Sequence, residues 1–147
     1  MTVWQCPDSI EEALWQAARR LLGDGPLSHR RLREAVVRRS RLYTSEREDI
    51  DSPSDAQADL AARALFFTVA DTPKSMIPAA ELASRSLLPT RPRVLDLGAG
   101  CGAMTWGLLG FGLRPSEVVA IDRDGQALKV AARVAESHGV PMQTVAG

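Results

Sequence analysis

The chain has 147 residues, 45% of them hydrophobic, which suits about one domain with a buried core. Its 18 basic and 18 acidic residues cancel, so overall charge gives no support to a polyanion partner and only local patches can. No apolar run reaches the ~20 residues of a membrane span, and the N-terminus lacks a basic start followed by an apolar stretch; a cytoplasmic location and no membrane partner are expected.

The first predicted helix follows Asp8 and Ser9, which stand at capping-box spacing before Glu11 and Glu12. Ile10, Ala13, Leu14, Ala17, Leu21 and Leu22 recur at helical spacing, and Gly23-Asp24-Gly25-Pro26 ends the run. Trp4 and Trp15 are expected to pack on this helical core. A second helix is predicted from Ser28, with Leu32, Ala35 and Val36 inward. It carries Arg30, Arg31, Arg33, Arg38, Arg39 and Arg41, against Glu34 alone. Residues 1–43 hold eight Arg and five acids, a net +3, while residues 44–71 hold two Arg and seven acids, a net −5. The Arg run reads either as a solvated helix face or as a phosphate-binding face for RNA, with Arg30, Arg31, Arg38, Arg39 and Arg41 the candidate contacts.

Thr44 to Asp59 reads as an exposed acidic linker containing Glu46, Glu48, Asp49, Asp51, Asp55 and Asp59, closing on a helix cap at Ser54 or Asp55. An apolar helix is predicted over 58–69, broken at Asp71-Thr72-Pro73. Pro78 is placed in the first turn of the next helix, which runs through Ala80, Leu82, Ala83 and Leu87. Leu88-Pro89-Thr90-Arg91-Pro92 is the candidate boundary between a helical region, 1–90, and a second part, 91–147.

The second part opens with Arg93-Val94-Leu95-Asp96-Leu97-Gly98-Ala99-Gly100-Cys101-Gly102-Ala103-Met104, a predicted strand, glycine turn and helix start. Such a turn lets a ligand approach the main chain, and the following helix start presents free N–H groups. Gly98-x-Gly100-x-x-Ala103 fits the dinucleotide fingerprint. Asp96-x-Gly98-x-Gly100-x-Gly102 also fits the D-x-G-x-G-x-G pattern of methyltransferases that use S-adenosylmethionine. Asp96 favours the second: a carboxylate suits the cationic amino-acid end of that cofactor and repels a pyrophosphate. Val118-Val119-Ala120-Ile121-Asp122 then reads as a buried parallel strand ending in an acid that can accept both ribose hydroxyls. Asp124 is the predicted N-cap of a helix through Leu128, Val130, Ala131 and Val134, and Val140 to Ala146 begins a third strand. Cys6 and Cys101 have no metal spacing, and Cys101 is expected to serve as a small residue of the loop rather than a reactive thiol. Neither His29 nor His138 has a visible catalytic partner.

The stretch VLDLGAGCGAMTWGL with VVAIDRD resembles motif I and the second-strand acid of class I methyltransferases, over about residues 91–147. The layout around Leu42-Tyr43 and Asp59 to Phe67 is similar to the methyltransferase-like proteins associated with the mitochondrial small ribosomal subunit and their bacterial relatives. The resemblance implies an α/β protein: an N-terminal α-helical region followed by the start of a Rossmann-like class I methyltransferase sheet. It implies S-adenosyl-L-methionine as cofactor, bound by Asp96, Gly98, Ala99, Gly100, Gly102, Asp122 and Arg123, with segment 74–82 bordering the site. It implies rRNA of the small ribosomal subunit as substrate class. The iron–sulfur cysteine cluster of some relatives has no counterpart in Cys6 and Cys101. The usual seven-stranded sheet exceeds the strands found, so a further C-terminal half or a complementing chain is expected, and the 147-residue chain alone is expected not to transfer a methyl group. The competing readings are a non-catalytic ribosome-assembly or RNA-binding protein on the same fold, and a fragment of an NAD-dependent oxidoreductase.

Overall fold

The computed structural model describes residues 3–45 and 53–147. Among these residues seven α-helices and three strands follow in order: α1 (Asp8–Leu22), α2 (His29–Thr44), α3 (Ala56–Ala62), a π-helical turn (Arg63–Phe67), α4 (Thr68–Asp71), α5 (Pro73–Ser84), β1 (Arg93–Leu97), α6 (Ala103–Phe111), β2 (Glu117–Asp122), α7 (Gly125–Ser137) and β3 (Met142–Ala146). The strands form one parallel sheet in the order β1-β2-β3, with Asp96 opposite Ala120 and Ala120 opposite Thr144. Parallel neighbours need a crossover, and α6 and α7 supply the two.

The register puts Val94, Asp96, Val118, Ala120 and Met142 on one face. Helices α6 and α7 cover that face: Val118 and Ala120 are fully buried, and Ala120 packs with Leu128 and Ala99. Leu95 and Leu97 point the other way and are 61% and 70% exposed. Both are strand-compatible apolar residues in a parallel ladder, yet no described residue covers them, so the sheet has one apolar open face and a free edge along β1.

The helical region and the sheet share a hydrophobic core. Ile10, Leu14, Ala17 and Ala18 of α1 cluster with Leu60, Ala61 and Ala64, with Trp106 of α6, and with Val130 and Val134 of α7. At the start of α1, Pro7 occupies the N-cap in place of the expected Asp8 or Ser9, and its carbonyl accepts from Ile10 and Glu11. Asp8 instead lies in the first turn, where its charge favours the positive helix end. Trp4 packs against Phe111 at a centroid distance of 6.0 Å, whereas Trp15 is on the surface.

Helix α2 runs on through Thr44, so the expected linker begins later; Glu46, Glu48, Asp49 and Asp51 lie outside the described residues. Asp55 is the N-cap of α3 and accepts from the Ala58 N–H at 3.0 Å. Asp59 does not belong to a linker: it is a buried helical residue, 6% exposed. The chain does not break at Asp71-Thr72-Pro73. Thr72 keeps helical angles, φ −48° and ψ −44°, and its hydroxyl donates to the Thr68 carbonyl at 2.8 Å. Pro73, not Pro78, takes the first helical position of α5, leaving Pro78 inside the helix on an exposed face. The helix ends at Ser84, before Leu87, which is 64% exposed.

Candidate cofactor site

The site is built at the carboxyl ends of β1 and β2, where the chain turns from each strand into a helix. Gly98, Gly100 and Gly102 all have positive φ, at 69°, 53° and 92°. L-residues with side chains rarely adopt that region, which explains three glycines in five residues. The three are not equivalent. A Cβ at Gly98 or Gly100 would meet nothing within 4 Å, so the backbone there is open to a ligand. A Cβ at Gly102 would lie 2.7 Å from the indole of Trp106. Gly102, expected to line the cofactor, is in addition required by packing beneath the loop. Ala99 is buried under the loop, and its N–H donates to the Ile121 carbonyl at 3.0 Å, tying the turn to β2.

Asp122 ends β2 facing this loop. One carboxylate oxygen accepts from the Gly100 N–H at 2.8 Å and the other from the Asp124 N–H at 2.8 Å. Each oxygen keeps a second lone pair, so the carboxylate can still accept two hydroxyls. Asp124 caps α7, accepting from Gln126 and Ala127 at 2.9 and 3.2 Å. Arg123 is exposed at the same turn.

Asp96 lies deeper, 7% exposed, below the loop and against α6. It accepts the Thr105 hydroxyl at 2.7 Å and also a hydrogen bond from the Thr105 backbone. Thr105 is the third residue of α6, so a buried carboxylate already occupies the positive end of that helix. Burial holds the Asp96 carboxyl above its ordinary range; the Thr105 bonds oppose the shift and the negative charge of Asp122 adds to it.

That shift has a sign in stability. A carboxyl raised in the folded state holds its proton more tightly there than in the unfolded chain. Folding therefore loses stability as pH climbs from the ordinary value of 3.8 through the raised one. Asp96→Asn keeps an acceptor for the Thr105 hydroxyl and cannot ionise. Its thermal midpoint at pH 7 is expected to exceed wild type by on the order of 3 °C, with the excess vanishing near pH 3. A midpoint below wild type at pH 7 would contradict this placement of the charge.

Cys101 sits under the loop, and burial pushes its thiol up to about 12. A thiol held that far from ionising is not a nucleophile, which removes the reactive-cysteine role. His138 is the C-cap of α7, its Nδ1 3.2 Å from the Val134 carbonyl, and lies away from the loop.

The helical region reaches the same turn. An open cleft of about 970 Å³ lies between α2, α3 and the β2–α7 turn, lined by Tyr43, Leu60, Arg63, Asp122 and Arg123 among others. Arg63, which the sequence pattern did not single out, donates to Asp124 at 2.5 Å. The signal for it was faint: an Arg four residues after an Asp on an otherwise apolar helix. Helix α5 packs on α6, with the Ser75 hydroxyl donating to the Met104 carbonyl at 2.7 Å, so segment 74–82 supports the helix behind the loop.

The candidate RNA contacts divide. Arg39 is 6% exposed and donates to Asp59 from Nε at 2.7 Å and from Nη2 at 2.5 Å, so burial withdraws it from any surface. Arg31 is half-buried on Asp55 at 2.7 Å, and Arg38 donates to the Ser54 hydroxyl. Arg30, Arg33, Arg38 and Arg41 are the exposed arginines of α2. Among the described residues, no helix is long and apolar enough to cross a membrane, and no group of three His, Cys, Asp or Glu side chains could hold a metal.

No family model matches the chain, and no curated protein does. Among solved structures it is similar to the YcgJ protein from Bacillus subtilis, with 22% sequence identity and a TM-score of 0.35. The likeness covers 50% of this chain and 30% of that one, so the present chain spans under a third of the neighbour's length. A likeness of that extent defines neither fold nor chemistry. The chain is an α/β protein with a three-stranded parallel sheet and a glycine loop beside an acid.

Proposed function

We propose that this chain is the cofactor-binding part of an S-adenosylmethionine-dependent methyltransferase, with a Rossmann-like arrangement of β1, α6, β2, α7 and β3. The observation that carries the reading is the Asp122 carboxylate set 2.8 Å from the Gly100 N–H, beside a backbone left open at Gly98 and Gly100. An acid at the end of the second strand is placed to accept ribose hydroxyls, and the open loop to lie along the cofactor. Arg123 follows at the exposed rim, where an adenine ring would lie.

The charge pattern favours this cofactor over a dinucleotide. A pyrophosphate seeks a helix start with free N–H groups and positive potential. Here the start of α6 already holds the buried carboxylate of Asp96, with Asp122 close enough to raise its pKa. Two acids repel a pyrophosphate and attract a sulfonium and an α-ammonium group. When bound, the cofactor supplies an electrophilic methyl group. The chain's own work is to hold it: the loop through backbone contacts, Asp122 through the ribose, and Asp96 through the field it sets under the amino-acid end.

The test is calorimetric titration of the whole chain with S-adenosylmethionine, with NADH in parallel. Saturable binding of S-adenosylmethionine alone is expected, weakened about 10–100-fold by Asp122→Ala, as for loss of hydrogen bonds to a charged group. Binding of NADH in its place would overturn the reading.

For the acceptor we favour rRNA of the small ribosomal subunit. The support is the family resemblance and the exposed Arg30, Arg33 and Arg41 on α2, which suit phosphate oxygens. The variant Arg30→Glu/Arg33→Glu is expected to weaken binding to a small-subunit rRNA fragment and to lower the salt slope by about 2. An unchanged slope would remove α2 as the RNA face.

A further inference from the structure

A series of charged and polar contacts joins the helical region to the glycine loop. Arg39 and Arg63 both hold Asp59, Arg63 through Nε at 3.1 Å. From its Nη2, Arg63 donates to Asp124 Oδ2 at 2.5 Å, bridging 61 residues of sequence. Asp124 spends its other oxygen on the start of α7, and its own N–H holds Asp122. Asp122 in turn holds the Gly100 N–H. The α7 cap fixes Asp124 only to its own helix, whereas Arg63 ties the turn to α3 and α2.

Arg63 stands where the backbone widens. It opens the π-helical turn, where its carbonyl accepts from the Thr68 N–H, one residue further on than in an α-helix, and from the Thr68 hydroxyl at 2.8 Å. Widened turns of this kind concentrate at functional sites. The side chain is 22% exposed, flanked by Asp59 four residues back in α3 and by Asp124 across the gap. Enclosure is the largest influence and disfavours its charge, but the bond to Asp124 and the charges of Asp124 and Asp59 act together against it, and the guanidinium's hold on its proton is strengthened.

We propose that Arg63 is a positioning residue of the cofactor site: acting through Asp124, it sets the carboxylate of Asp122 against the glycine loop, and so makes the helical region part of the site. The ligand role rests on the cofactor reading above; the link between Arg63 and the loop does not.

The experiment uses the full chain labelled with 15N, as wild type, Arg63→Met and Arg63→Lys. Amide hydrogen exchange is followed at Gly100 and Asp124, with Val130 and Val134 in α7 as internal references, and S-adenosylmethionine affinity is measured on the same samples. For Arg63→Met, exchange at Gly100 and Asp124 is expected to speed up about tenfold while the references stay within about twofold. Affinity is expected to fall about tenfold, as for outer groups that orient a ligating residue. Arg63→Lys restores part of both. Unchanged exchange at Gly100 and Asp124, or equal acceleration of all four amides, would overturn the proposal, the latter because it marks a merely structural role. Should Arg63→Met fail to fold, Asp124→Asn, which keeps an acceptor for the α7 cap and discharges the pair, is read the same way. A wild type that binds no S-adenosylmethionine overturns the cofactor reading; the exchange data then still decide the link to the loop, upholding it if Gly100 responds and overturning it if not.

Discussion

Asp59→Ala is expected to cost on the order of 3–5 kcal/mol of folding stability, the range for removing one partner of a buried ion pair. The carboxylate is 6% exposed and is shared by two guanidinia, Arg39 at 2.5 and 2.7 Å and Arg63 at 3.1 Å. The Arg39 side chain is 7% exposed, so water cannot replace what the carboxylate supplies. A domain of this size has about 5–15 kcal/mol in total, so the variant should be largely unfolded at mild urea concentrations. The control is Asp24→Ala. Asp24 pairs with Arg19 at 2.7 Å, but the two side chains are 76% and 54% exposed, and the expected loss is below about 0.5 kcal/mol. Urea midpoints of the two variants check the contrast. A loss for Asp59→Ala as small as that for Asp24→Ala would mean that the Arg39–Asp59–Arg63 cluster is not the buried anchor of α2.

The second large effect separates two glycines that the sequence pattern treats alike. Gly102→Ala places a Cβ 2.7 Å from the Trp106 indole, at a residue with φ 92°. Trp106 cannot yield: it is fully buried, and its indole N–H donates to the Cys101 carbonyl at 2.6 Å. Left-handed strain of about 1–2 kcal/mol adds to overpacking of about 1–3 kcal/mol, so a loss of roughly 2–5 kcal/mol is expected. Gly98→Ala meets nothing within 4 Å and suffers only the strain of its φ of 69°, about 1–2 kcal/mol. Its Cβ would enter the open space where the proposed cofactor would lie, so its larger effect should fall on affinity. Melting the two variants and titrating each with S-adenosylmethionine checks both halves. A Gly98→Ala variant that is as unstable as Gly102→Ala would refute the division of labour.

The contrast also locates what a sequence can reveal. Three glycines at alternate positions, an apolar strand on either side and an acid twenty residues on placed the loop and Asp122 correctly, because these depend on local backbone demands. The Asp124 cap was legible for the same reason, its carboxylate reaching N–H groups two and three residues away. The reason for Gly102 was not legible, because it is set by a ring that folds back from the next helical turn. The roles of Asp59 and Arg63 were hidden for a related reason. Their partners lie 20 and 61 residues away, and neither spacing follows from any helical or strand period. By composition Asp59 belongs to a solvated acidic stretch, and only its burial sets it apart. A π-helical turn has the composition of an α-helix, so Arg63–Phe67 gave no mark of its own. Pro78 misleads in the opposite direction: a proline suits a helix start, yet Thr72 carries the chain straight into Pro73 and leaves Pro78 inside α5. Leu95 and Leu97 read as ordinary parallel-strand residues; their exposure depends on which elements cover the sheet, and strand patterning does not contain that information.

The central claim is that a cofactor lies along the glycine loop with its ribose on Asp122. The most direct measurement is an amide-resonance titration of the 15N-labelled chain with S-adenosylmethionine. The expected result is saturable shifts concentrated at Gly98, Ala99, Gly100, Asp122 and Arg123, with α1 unmoved and with the response lost in Asp122→Ala. Saturable shifts confined to other elements, or a loop that answers NADH and ignores S-adenosylmethionine, would contradict it.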